Sequence, residues 1–569
     1  MTPSFNRYQY LWKWLHGYKR ILFLVLISSL LVTFLGMNWP LVYRHLINQV
    51  FYQRDFKKLE RVLLVYAALF VAEKILQLIW RLADGVMASN FVYSVKNTLY
   101  EKIFSLNMAS KENYSTGELL DIMNQDVQQI YTFLMDEGVF AITCLIRLIM
   151  AVIYISIINP YASFFILFLV LVNYFLSKYL KKRFLVCFQE YKKKLENYQG
   201  FFMDILMGLK EIKLLNAARH GKEAVICRLT ELGEWKKKQI FEEAYRQISQ
   251  EGLHIVSEMA LYAAAAYEIA NGRMLLGDFV SLMIYYEWAK IFFRVFIQLF
   301  TGMSKSFLSL DRINQLMESE SETEEGVPAI SGDILFDHVS FGYQPGMDVL
   351  KEISFSIKHR SITALAGPSG CGKSTIASLL LKLYEPDRGA IWIGNQPLSQ
   401  VNPKSLRAQI GIVNQNAPLF EATIRKNLLM GKPDADEAEL WAALKTAHAD
   451  QFVSKLPSQL DTSVSQLDNL STGQRQRILL ARVFLKDPDI IILDEATSNI
   501  DLETERQFLK DAAAIFREKT VIIIAYRANC LEIADHILYL QSGVVKDRGS
   551  HFQLSDQNPE YRNLIFPCA

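Results

Sequence analysis

The nine residues GPSGCGKST, at 367–375, carry the strongest chemical signal in the chain. They fit the spacing G-x-x-x-x-G-K-[ST], with Gly367, Gly372, Lys373 and Ser374 at the fixed positions. Pro368, Ser369, Gly370 and Cys371 fill the loop, and Thr375 follows it. Glycines so spaced let a backbone curl until its N–H groups face phosphate oxygens at a helix N-terminus. The flanks agree: SITALA (361–366) reads as a strand and TIASLLLKLY (375–384) as a helix. Lys373 is then suited to reach the β- and γ-phosphates of ATP, and Ser374 to bind Mg²⁺. A second run, DIIILDEA (489–496), reads as an apolar strand ending in two carboxylates. Downstream of such a loop, Asp494 can hold the Mg²⁺ shell and Glu495 can polarise an attacking water.

These residues need a frame, and the sequence supplies two kinds. From 333 onward short apolar runs alternate with amphipathic stretches, the pattern of an α/β sheet. The acidic, turn-rich segment ESESETEEGVPAISG (318–332) reads as a linker. Residues 1–317 are different. Six segments, at 20–48, 60–86, 136–158, 160–181, 250–271 and 277–303, each approach the ~20 apolar residues that a ~30 Å bilayer core requires. Basic residues near the span ends give the orientation. Arg7, Lys13, Lys19 and Arg20 precede the first span, and Lys181, Lys182, Arg183, Lys192, Lys193 and Lys194 follow the fourth. Both groups are expected in the cytoplasm, with both termini, although FYQRDFKK (51–58) runs against the rule. The long connections, 87–135 and 182–249, read as helical extensions that bend near 113–120 and 203–213.

Composition narrows the classes further. Hydrophobic residues make up 51% of the 569, concentrated in the first half. A formal net charge of +2 gives no reason to expect a nucleic-acid partner. The six cysteines are scattered without framework spacing, which suits reduced thiols facing a cytosol.

Between the loop and the acidic strand lies LSTGQRQR (470–477), and here the chain resembles the ATP-binding cassette (ABC) family, whose signature is LSGGQ. The resemblance assigns Ser471, Gly473 and Gln474 to ATP held by an opposite subunit. FGYQPG supplies Tyr343, matching the aromatic residue that stacks on adenine. IVNQNAPLF supplies Gln415, matching a glutamine that joins Mg²⁺ to the membrane-domain contact. SNID supplies Asp501, matching the loop that crosses the dimer interface. STGEL (115–119) and GLKEIK (208–213) stand where the family places its coupling helices. The implied fold class is an all-α six-helix membrane domain followed by an α/β P-loop ATPase domain. The implied protein is an exporter-type half-transporter in a bacterial cytoplasmic (inner) membrane. It would pair with a second half-transporter and move a peptide, lipid or amphiphilic small molecule. An ATP-binding structural or regulatory subunit of a heterodimer is the alternative.

The chain departs from the family pattern in three places. Thr472 replaces a glycine, and a β-branched residue limits close backbone approach. SVSQLDN (463–469) lacks the usual Gly-Glu-x-Gly. Tyr526, after the buried run VIII (521–524), stands where a switch histidine is expected. Imidazole carries a proton near neutral pH, whereas a phenol with a reference pKa of about 10 stays neutral. ATP binding with slowed hydrolysis is the expectation. Within the spans, Glu287, Lys290, Arg294 and Gln298 share one helical face, and Arg147, Glu258 and Glu268 are further intramembrane charges. They suit either a mixed-charge cavity or pairing between helices. Tyr526→His is expected to raise ATP turnover of the purified chain. Unchanged turnover would show that the phenol is a competent substitute or no part of the site.

Overall fold

The computed structural model describes residues 14–52, 59–158, 160–323, 325–344, 346–414, 417–466, 470–525 and 527–565. The chain divides into two compact units, one of residues 1–101 with 116–318, the other of 102–115 with 319–569.

The first unit is built of helices, the longest being Leu59–Ser105, Pro160–Met207, Ala218–Ala270 and Leu276–Glu318. At 1.5 Å per residue the 53-residue helix Ala218–Ala270 runs about 80 Å, far beyond the thickness of a bilayer core. The connections read as helical extensions lie largely within such long helices. Three stretches among the described residues are long and apolar enough to cross a membrane: Lys19–Phe51, Leu59–Ser105 and Thr116–Ile157. They overlap the first three expected spans. The expected fourth falls in Pro160–Met207, and the fifth and sixth, which carry Glu258, Glu268, Glu287 and Lys290, fall in the last two long helices. Leu63, Leu64, Phe70, Val71 and Leu78 stand exposed along Leu59–Ser105, a surface suited to lipid rather than water. The first connection breaks twice, at 106–107 ahead of the expected 113–120 and again at 113–115, and the second breaks at Gly208, within 203–213. Short helices Met108–Glu112 and Thr116–Asp121 follow the two breaks of the first connection, and Gly208 opens Leu209–Leu214 in the second.

The second unit holds two sheets. Strands β1 (Ile334–Phe341), β2 (Leu350–Ile357), β4 (Arg388–Ile393) and β5 (Gln396–Pro397) form an antiparallel sheet ordered β2-β1-β4-β5. The main sheet is ordered β10-β9-β3-β8-β7-β6. Its strands are β3 (Ile362–Ala366), β6 (Ile410–Val413), β7 (Ile490–Asp494), β8 (Thr520–Ile524), β9 (His536–Gln541) and β10 (Val544–Gly549). β6 to β9 and β3 run parallel; β10 is antiparallel to β9.

Continuous apolar runs are what a sheet covered on both faces demands. Val521 and Ile523 of β8 enter one core with Ile491 and Leu493 of β7, packed against helical residues such as Leu480, Phe508 and Phe516. Ile522 and Ile524 point the opposite way, into a core shared with Ile490, Ile492 and the antiparallel sheet. Phe336, fully buried, stacks on Phe355 with ring centroids 4.5 Å apart in that second core.

The unit also takes in 102–115. Ser105 accepts from the Glu322 amide at 2.7 Å, the Asn107 amide donates to Glu320 at 3.3 Å, and Leu106 faces Ser321 in an antiparallel bridge. The segment read as a linker is thus partly a strand-like strap. Phe336→Ala should destabilise this unit by about 3–5 kcal/mol. The check is a lowered denaturant midpoint for loss of ATP binding by the full chain.

Candidate functional site

A parallel sheet delivers all its strand ends to one edge. β3 runs into the phosphate-type loop, β7 into Asp494 and Glu495, and β8 lies between them: Ile524 pairs with Leu365 on one side and with Asp494 on the other. Three segments singled out in the sequence for one chemistry therefore end side by side. Tyr526 itself lies outside the described residues, as does Gln415, which follows β6.

The loop is a built cradle. Gly367, Gly370 and Gly372 take φ of 155°, 78° and 104°, and Gly372 opens the helix Lys373–Leu380. A Cβ on Gly367 would lie 2.2 Å from the Leu540 carbonyl oxygen. Lys373 Nζ donates to the carbonyls of Gly367 and Pro368 at 2.8 Å each and lies 3.8 Å from Cys371 Sγ. Its ammonium is thus held over the loop that would wrap the phosphates. Ser369 and Gly370 are exposed at the rim, and Cys371 is buried beneath it.

Asp494 is a half-buried carboxyl. Burial pushes it above the usual carboxylate range, opposed by a hydrogen bond with Ser374 and by the charge of Lys373. A desolvated carboxylate beside a serine hydroxyl is a pair of hard oxygen donors, which fits Mg²⁺. No group of three or more His, Cys, Asp or Glu able to hold a metal by itself occurs among the described residues. Glu495 follows with φ of 50°, a left-handed conformation uncommon outside glycine, and its amide donates to Ile524 at 2.9 Å. That turn ends the strand and redirects the chain beside β8.

Tyr343 is half-exposed, its ring held edge-on by Phe341 at 5.1 Å and Tyr384 at 5.2 Å, and its hydroxyl lies 3.2 Å from Thr375 Oγ1. It is thereby fixed beside the loop with ring surface to spare for a base. Tyr384 in turn hydrogen-bonds Glu112 of the short helix Met108–Glu112, a link the sequence gave no reason to expect.

The signature residues are organised by their own helix, Thr472–Lys486. Ser471 caps it, accepting from the Gln474 amide at 3.1 Å, while Gln474 returns a side-chain bond to Ser471. Thr472 is the first helical residue and is exposed. Gly473 backs onto the 497–501 loop: a Cβ there would meet the Asn499 carbonyl at 2.7 Å. Asp501 caps the next helix, Leu502–Glu518, and the Thr504 amide holds its carboxyl below the usual range. Sequence reasoning missed Arg527, whose guanidinium donates to three carbonyls of this same loop.

The charged face expected in the last long helix resolves into pairs where it is described. Lys290 is bonded to both Glu258 and Glu287, and its ammonium stands 5.4 Å from the Tyr286 ring centroid. Glu268 faces Arg273 at 3.8 Å. The side chains of Arg294 and Gln298 lie outside the described residues. On the geometry of the loop, Gly367→Ala should weaken ATP binding about ten-fold or more, ~1.4 kcal/mol, by nucleotide titration. Unaltered affinity would show that the close approach to Leu540 is dispensable.

The comparisons with known proteins agree with this geometry. The family model "ABC transporter transmembrane region" matches residues 22–289, and the model "ABC transporter" matches 350–498. The chain is 30% identical over 490 residues to the uncharacterized ABC transporter ATP-binding protein YfiB of Bacillus subtilis (strain 168), covering 84% of each. It is 27% identical to a multidrug resistance ABC transporter ATP-binding and permease protein of Lactococcus lactis subsp. lactis (strain IL1403), covering 96% of this chain and 93% of that one. A solved bacterial Atm1-family ABC exporter with ATP bound has the same fold, with a TM-score of 0.81 over 96% of this chain and 97% of that one at 22% identity. The chain therefore belongs to the ABC transporter family, a multi-pass membrane protein that joins a transmembrane region and an ATP-binding, ATP-hydrolysing transport domain in one polypeptide.

Proposed function

We propose that the chain is one half of a dimeric exporter that couples ATP hydrolysis to outward movement of a peptide, lipid or amphiphilic small molecule. The observation that carries this reading is the convergence of the phosphate-type loop, the Asp494–Glu495 pair and the end of β8 on one sheet edge. Lys373 and the loop amides bind the phosphates. Asp494 and Ser374, with Gln415, hold Mg²⁺, which when bound neutralises phosphate charge. Glu495 orients the attacking water and takes its proton. Tyr343 offers its ring to adenine, and Ser471, Gly473, Gln474 and Asp501 complete the site of the opposite copy.

Hydrolysis is slowed in this reading because Tyr526 supplies a neutral phenol where an imidazole would handle a proton. Thr472 favours a second reading, in which the chain mainly binds ATP beside a more active partner. The basic flanks support both termini in the cytoplasm, and the bacterial relatives support a bacterial inner membrane. For the substrate, the name of the multidrug relative favours an amphiphile. The Glu258–Lys290–Glu287 pairing favours helix-to-helix contact over a site for charged cargo at that depth.

The test is ATP turnover by the purified chain alone, with Glu495→Gln. Turnover falling by about 10²-fold or more with ATP binding retained supports the first reading. Absence of turnover in the unaltered chain, restored by a partner subunit, supports the second.

A further inference from the structure

The 497–501 loop carries Asp501 at its end, and two side chains from different segments grip it. From one side the Arg527 guanidinium donates Nη1 to the carbonyls of Thr497 at 3.4 Å and Ile500 at 3.0 Å, and Nη2 to that of Ser498 at 2.5 Å. Behind the guanidinium stands Glu505, whose side chain is 0% exposed, with Oε1 3.5 Å from Nη1. Glu505 also accepts from Asn529 Nδ2 at 3.2 Å and from Cys530 Sγ at 3.7 Å. Burial pushes the Cys530 thiol up to about 12, so it stays a donor. From the other side Gln476 of the signature helix donates to the Glu495 carbonyl and to Ser498 Oγ, each at 3.4 Å, and accepts from the Asn499 amide at 3.2 Å. The loop thus joins the acidic pair, the signature helix and the residue just after Tyr526.

A carboxylate with no exposure must be paired and hydrogen-bonded, and Glu505 has an arginine, an amide and a thiol around it. That pairing fixes the guanidinium plane. A planar fork with five fixed donors can then dictate the path of the carbonyls it serves, which a lysine ammonium cannot. We propose that Arg527, backed by Glu505, is a positioning residue that sets the 497–501 loop and, through it, the ATP site completed on a second copy of this chain. This rests on the dimeric reading above, in which the loop acts across the interface. A residue that only held its own domain together would act on its own site at least as strongly.

Mixed dimers separate the two. One copy carries Glu495→Gln, which silences its own acidic pair, so turnover comes from the site built on the other copy's Glu495. Arg527→Lys keeps the charge opposite Glu505 but loses the fork. Placed on the silenced copy, it should lower turnover by about 10²-fold with ATP affinity and dimer recovery unchanged; placed on the working copy, it should leave turnover within about three-fold. Equal loss in both placements, loss only on the working copy, or no loss overturns the proposal. If Arg527→Lys fails to assemble, the paired variant Arg527→Gln with Glu505→Gln removes the buried charge and is read by the same criteria. Failure of the two copies to be recovered together as a dimer would instead overturn the dimeric reading, and this inference with it.

Discussion

Burial of the parallel sheet on both faces is the constraint from which the rest of the ATP-binding unit follows. Strands covered on two sides have no place for a charge along their length, so polar residues are displaced to the strand ends. Because the strands from β6 to β9 and β3 run the same way, those ends share one edge. Lys373, Asp494 and Glu495 are neighbours for that reason, though more than a hundred residues separate the loop from the acids. The same burial leaves Asp494 reluctant to ionise without Ser374 and Lys373, which makes it a site that welcomes a cation.

In the membrane unit the solvent changes and the rule inverts. Exposed leucines and phenylalanines line the outside of Leu59–Ser105, while Lys290 pairs with Glu258 across two helices and with Glu287 on its own helix. Long helices suit such a unit because each satisfies its backbone hydrogen bonds internally. Carried past the bilayer, the same continuity needs no new fold, only a switch of surface residues from apolar to charged.

What was legible in the sequence was local or periodic. The glycine spacing of 367–375 encodes its own backbone path, and the VIII run of β8 announces a doubly covered strand. The caps at Ser471 and Asp501 are written within three residues of their helices. Arg527 was not legible in this way, because it acts on carbonyl oxygens, which every residue type shares. A weaker signal existed. Glu505 lies on the same helical stripe as Phe508, Leu509, Ala512 and Phe516, and an acid on an apolar stripe calls for a buried cation. The strap between 105–107 and 320–322 was equally hidden, since the acidic composition of 318–325 argues for solvent rather than for pairing with a segment more than two hundred residues earlier.

That strap has a consequence for the helices it joins. Ser105 ends one long helix and Glu318 ends another, and within four residues of each the two segments are cross-bonded, with Lys102 Nζ adding bonds to the Ser319 carbonyl at 2.5 Å and to Ser321 Oγ at 2.7 Å. Arg407 then clamps Glu322 with both nitrogens of its fork, at 2.8 and 2.7 Å. The ends of the two helices therefore enter the ATP-binding unit bonded to each other and to Arg407, as one paired entry point rather than two loose ends.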